Sequence, residues 1–124
     1  VVVGCLGRLS SSSLPQEDID KGAAWRATLG RQTWFFLHTL AAKYPDYPSE
    51  VDMRTMRNFV AGLGQHYPCK LCRAHLQEKL MEPSLGPVAV ENRTALGVWF
   101  CNLHNMVWTR EREKETRGGV GSAT

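Results

Sequence analysis

Cys69-Lys70-Leu71-Cys72 sets two thiols three positions apart, at the head of an apolar pattern that reads as a helix. Two cysteines so spaced can close a disulfide on the first helical turn. The positive end of the helix dipole lies there and favours a thiolate on the first sulfur. Lys70 and Arg73 add positive charge close by. A stable thiolate leaving group and a breakable disulfide are what thiol–disulfide exchange requires, so the motif points to redox chemistry. Two buried, inert thiols fit the same letters.

A second chemistry competes for these residues. Cys69-x-x-Cys72-x-x-His75 and Cys101-x-x-His104 place three thiols and two imidazoles in two clusters. Cys69, Cys72 and Cys101 with either His75 or His104 have the composition of a Cys3His zinc site in a helical interaction module. The first cluster would have to sit on a helix, whereas tight zinc loops are rich in turns. A third group comprises Trp34, His38 and Tyr44 on or just beyond one apolar segment, and His104 with Asn105 on another. Trp34 and His38 are one helical turn apart and share a face.

The elements that must position these groups all carry helical periodicity. From Trp25 onward, Trp34, Leu37, Leu40 and Ala41 make one stripe, which Lys43-Tyr44-Pro45 ends because the residue before proline leaves the helical region. Ser49 and Asp52 have the form of a capping box and open a second helix with Met53, Met56, Val60 and Leu63 inward and Phe59 beside them. Gly62 and Gly64 weaken its end, and His66-Tyr67-Pro68 stops it. A third helix starts near Cys69 and carries Leu71, Leu76 and Leu80 to about Met81; Pro83, Gly86 and Pro87 break it. Asn92 is the N-cap expected for a fourth, with Leu96, Trp99, Leu103, Met106 and Val107 inward. The segment 110–117 alternates charge without an apolar stripe and reads as a solvated extension or frayed end. No stretch has strand periodicity, so the predicted fold class is all-α, a four-helix up-and-down bundle.

The organisation expected is a flexible leader over 1–24, a helical domain over 25–117 and a disordered tail over 118–124. The leader is Ser-rich and poor in acids at its start, a composition compatible with the end of a targeting segment, and it carries Cys5, for which an inter-subunit disulfide is one option. With 124 residues there is room for one core, which excludes a dinucleotide-fold dehydrogenase or a β/α barrel. No apolar run is long enough for a membrane span. A net charge of +3, spread along the chain, gives no basis for a nucleic-acid partner. Four cysteines are too few to staple a fold without a core.

The segments Leu29-Gly30-Arg31-Gln32-Thr33-Trp34-Phe35-Phe36-Leu37-His38, Ala41-Ala42-Lys43-Tyr44-Pro45, Tyr67-Pro68-Cys69-Lys70-Leu71-Cys72 and Trp99-Phe100-Cys101-Asn102-Leu103-His104-Asn105-Met106-Val107 together resemble the Erv/ALR sulfhydryl oxidases. The order and gaps match that family from Leu29 to Val107. The resemblance implies a bundle of four helices plus a short fifth, FAD as cofactor, a homodimer, and no metal. It implies Cys69 and Cys72 as the catalytic pair, with Cys69 as the outer sulfur and Cys72 nearest the flavin. Gly30, Arg31, Trp34, His38 and Tyr44 would line the flavin pocket from the first helix. Cys101, His104, Asn105 and Val107 would do so from the fourth.

The activity implied is FAD-dependent oxidation of thiols in substrate proteins, or in an upstream import oxidoreductase, with electrons passing to dioxygen or cytochrome c. The compartment implied is the mitochondrial intermembrane space, or alternatively the endoplasmic reticulum and secretory pathway. Several positions depart from the family pattern. Asn102 stands where the family usually has His, Trp108 where it has Asn, and 109–114 does not match its basic, Gly-containing stretch. The later cysteine that pairs with the position of Cys101 has no counterpart here, and the fifth helix is expected to be absent or altered.

Overall fold

Four α-helices account for most of residues 22–118, the residues described by the computed structural model: α1 (Ala23–Lys43), α2 (Glu50–His66), α3 (Lys70–Leu80) and α4 (Arg93–Gly118). Among the described residues there is no strand, in accord with the all-α expectation. The chain divides into two compact units, Val1–Thr33 and Trp34–Thr124. In the first, the opening turns of α1 are tied by Thr28 Oγ1 donating to Ala24 O at 3.0 Å and Thr33 Oγ1 donating to Leu29 O at 2.7 Å. The helix begins at Ala23, two residues earlier than expected. The rest of the expected leader, with Cys5, and the tail from 119 lie outside the described residues.

In the second unit the helix ends follow from local chemistry. Tyr44 N–H bonds Ala41 O at 3.2 Å to close the last turn of α1, and Pro45 forbids another. Ser49 caps α2 as a full capping box: its Oγ accepts from Asp52 N at 3.1 Å, and its own N–H donates to Asp52 Oδ2 at 2.9 Å. Asn92 Oδ1 accepts from Ala95 N at 2.8 Å, starting α4 as expected. α3 packs on α2 and on α4. Gln77 Nε2 donates to Gly64 O at 2.9 Å, and a Cβ at Gly64 would sit 2.8 Å from Leu80 Cδ1, so the missing side chain permits the close approach of α2 and α3.

The core centres on Leu37, Leu96, Phe100 and Leu103, each 2% exposed or less. Removing each from water stabilises the fold by about 1.5–3 kcal/mol before conformational entropy is counted. Met56, Val60, Leu76 and Trp99 are buried as expected, and Trp99 Nε1 donates to Gly86 O at 3.2 Å. Leu71 is a correction: predicted to face inward, it is 58% exposed. It falls on the first turn of α3, off the face that carries Leu76. Phe59 is also exposed, whereas Met53, Leu63, Leu80, Met106 and Val107 are half-buried. Phe100 had no place in the expected stripe. α4 is covered by α3 and also by groups of α1 and the α1–α2 loop, so its buried face is wider than one row of side chains.

Candidate functional site

The two cysteines of the Cys-x-x-Cys motif are joined as a disulfide, with their Cα atoms 5.2 Å apart. Cys69 is the N-cap of α3: its backbone is extended, and its Sγ accepts from Cys72 N at 3.2 Å. One of the helix's orphan N–H groups thus points at a sulfur, which stabilises negative charge there when the bond opens. The turn before it is held by Arg73, whose Nε donates to Tyr67 O at 2.8 Å. Lys70 and Leu71 between the cysteines are exposed. Cys69 itself is 3% exposed and Cys72 half-buried. This order is the reverse of that implied by an outer Cys69, because capping turns the Cys69 side chain back over the helix start.

A second group assembles from α1 and α4. The Trp34 and His104 rings stack with centroids 4.1 Å apart and planes 11° from parallel. His38 Nε2 lies 3.0 Å from His104 Nδ1, so an N–H of one ring meets a lone pair of the other. Trp34 and His38, one turn apart, are 5.9 Å between centroids. Burial holds the His104 pKa below the usual 6.5, and the neighbouring His38 adds to this. His104 is therefore neutral at pH 7.

Beside His38, a shallow cleft of about 390 Å³ runs between α1 and α4. Ala41 and Ala42 line it from α1; Arg93, Thr94, Gly97, Val98 and Cys101 line it from α4. Its volume is within the range of small-molecule pockets, and its lining is mostly apolar with a few polar groups. Cys101 is an exposed free thiol.

Tyr44 stands at the end of the same seam. Its hydroxyl donates to Val90 O at 2.8 Å, and burial, reinforced by the Asp52 carboxylate, pushes its pKa up. Trp34, His38, Cys101 and His104 are thus brought to one side of α1 and α4. Asn105, exposed, and Val107, half-buried, follow on α4. Gly30 and Arg31 lie on α1 within the other compact unit, where Arg31 Nη2 donates to Thr28 Oγ1 at 3.2 Å.

The zinc arrangement does not form. Cys69 and Cys72 bond each other, and no group of three or more His, Cys, Asp or Glu suited to a metal exists among the described residues. Sequence reasoning missed Ala41, Ala42, Arg93, Thr94, Gly97 and Val98 in the cleft. The available signal was Gly97 on the face of α4 one turn before Cys101, opposite the small pair Ala41-Ala42.

The family model described as "Erv1 / Alr family" matches residues 31–119, most of the chain. The chain belongs to the Erv1/Alr family. An Arabidopsis thaliana protein named FAD-linked sulfhydryl oxidase ERV1 is 35% identical over 79% of this Erv1/Alr chain and 50% of its own length. The Schizosaccharomyces pombe mitochondrial FAD-linked sulfhydryl oxidase erv1 is 36% identical over 65% of this chain and 44% of its own. The chain thus spans about half the length of these curated relatives. Among solved structures, the FAD binding domain of Erv1 from Saccharomyces cerevisiae superposes with a TM-score of 0.63 at 34% identity, covering 68% of this Erv1/Alr chain and 78% of that one. The expected four-helix fold of the family is therefore the fold observed.

Proposed function

We propose that the chain is an FAD-dependent thiol oxidase that makes disulfides in substrate proteins through Cys69 and Cys72. The observation that carries this reading is the disulfide at the start of α3, with Cys72 N–H directed at Cys69 Sγ. Its likeness to the FAD-linked sulfhydryl oxidases of A. thaliana and S. pombe supports it.

A substrate thiolate attacks one sulfur of the pair. A mixed disulfide forms, the Cys69–Cys72 bond breaks, and one cysteine leaves as thiolate. The second substrate thiol then displaces the enzyme sulfur, so the substrate gains a disulfide and Cys69 and Cys72 hold two electrons as a dithiol. The α3 N-terminus and the nearby Lys70 and Arg73 side chains favour the thiolate at each stage.

The residues present fit a flat aromatic cofactor. Trp34 offers a ring plane on which His104 already stacks, and the adjoining cleft is mostly apolar with His38 and Arg93 in its lining. In this reading Trp34, His38, Tyr44, Cys101, His104, Asn105 and Val107 would hold FAD; the resemblance adds Gly30 and Arg31. Held there, FAD would supply a two-electron acceptor for the Cys69–Cys72 dithiol, with dioxygen or cytochrome c as the final acceptor.

The reading includes the mitochondrial intermembrane space as location and a homodimer as assembly. The S. pombe relative, named as mitochondrial, supports the organelle. Exposed Phe35 and Phe36, with Phe36 6.3 Å from Phe59 between ring centroids, support the second as an aromatic face suited to self-association. An absorption spectrum of the purified chain tests the cofactor. A flavin band, with FAD released on denaturation, is expected; a colourless protein that takes up no added FAD contradicts the reading.

A further inference from the structure

Arg93, on the first turn of α4, makes two contacts across the end of α1. Its Nε donates to Tyr44 O at 2.6 Å, and its Nη1 lies 3.3 Å from Asp46 Oδ2. The carbonyl it takes follows directly on the last turn of α1, where the negative end of the helix dipole welcomes a cation. Tyr44 is held a second time through its hydroxyl, which donates to Val90 O, three residues before Arg93. The end of α1 is thereby fastened to the start of α4 at both the backbone and the side chain of one residue.

The cleft begins beside this fastening, with Arg93 as part of its wall. Its lining across the two helices includes Ala41, Ala42 and Gly97, which have little or no side chain. A Cβ at Gly97 would meet nothing within 4 Å. Small residues on facing helices leave space that no side chain fills, so this end of the seam lacks dispersion contacts of its own to hold its width. The guanidinium fork supplies the fixed width, since its planar donors reach a carbonyl and a carboxylate together.

We propose that Arg93 is a positioning residue for the α1/α4 cleft. By bridging Tyr44 O and Asp46 to α4 it sets the spacing of His38 and Cys101, and so the seat of the cofactor. That the ligand is FAD rests on the function proposed above; the brace itself does not. What Arg93 adds beyond its charge is the two-point geometry of its fork, which a single ammonium lacks and which separates it from a phosphate-binding cation.

Arg93→Lys keeps the charge and loses the two-point fork; Arg93→Ala loses both. The full chain carrying Cys5→Ser, in which Cys101 is the one thiol outside the Cys69–Cys72 disulfide, is stripped of cofactor and titrated with FAD. Both Arg93 variants are expected to bind FAD about tenfold more weakly, equivalent to about 1.4 kcal/mol. The visible circular dichroism of the bound flavin should change in both. Alkylation of Cys101 in the cofactor-free protein should be faster in both than in the parent. If Arg93→Lys matches the parent in affinity and dichroism, charge and not bracing is at work and the proposal is overturned. If neither variant differs from the parent, it is likewise overturned. Should the parent bind no FAD, the functional reading fails on its own, and the alkylation rates still decide the brace: acceleration in both variants upholds it, and unchanged rates refute it. Arg93→Lys carries the test if Arg93→Ala does not fold.

Discussion

His38 Nε2 and His104 Nδ1 lie 3.0 Å apart, on helices joined by no local contact in sequence, with the Trp34 ring stacked on His104. Such a contact needs at least one ring to offer a lone pair, so it cannot survive with both imidazoles protonated.

The pair sets a dependence of stability on pH. Burial, with His38 beside it, lowers the His104 pKa below 6.5 in the folded chain. The unfolded chain therefore binds the proton more readily, and stability contributed by neutral His104 is present above about pH 6.5 and lost as pH falls through its folded value. The difference in thermal midpoint between the wild-type chain and His104→Gln should shrink steadily from pH 7.5 to pH 5. A difference that is constant across this range would mean that His104 titrates alike in both states.

Two glycines of α2 should respond differently to alanine. Gly62 has open space where a Cβ would go, so Gly62→Ala gains helix propensity, about 1 kcal/mol, at no packing cost. At Gly64 the same gain is offset because Leu80 must move away. Urea unfolding should show Gly62→Ala as the more stable variant. Equal gains would mean that α2 and α3 are not held as closely as Leu80 indicates.

Leu96 is 0% exposed and sits on the turn of α4 that Asn92 caps. Leu96→Ala should cost about 2–5 kcal/mol by loss of buried area and creation of a cavity. Chemical denaturation that registers less than about 1 kcal/mol would place Leu96 outside the cooperative core.

Most of the frame was legible in the sequence because each helix start and stop has a local cause. Ser49 with Asp52, Asn92, and the prolines after Tyr44 and Tyr67 act within a few residues, and the structure has them in those roles. The redox pair was legible for the same reason: three residues and a helix start bring Cys69 and Cys72 together. What could not be read were consequences of packing between distant segments. Nothing local distinguishes Phe100 from an exposed neighbour of Trp99 until α3 and groups of α1 both cover α4. Leu71 has the right spacing for a stripe, yet on the first turn of α3 it faces solvent. The burial of Cys69 relative to Cys72 depends on how the cap turns its sulfur, which the motif's letters do not encode. Arg93 joins α4 to a carbonyl 49 positions away, and a backbone acceptor leaves no mark in the sequence.

In the proposed reaction electrons enter through the α3 disulfide. Oxygen consumption by the FAD-loaded chain, with a dithiol as substrate, tests it most directly when compared with Cys72→Ser. Steady turnover is expected of the wild-type chain and a fall to background in Cys72→Ser, with the helical fold and the flavin band retained. A Cys72→Ser protein that oxidises the dithiol at the wild-type rate would contradict it.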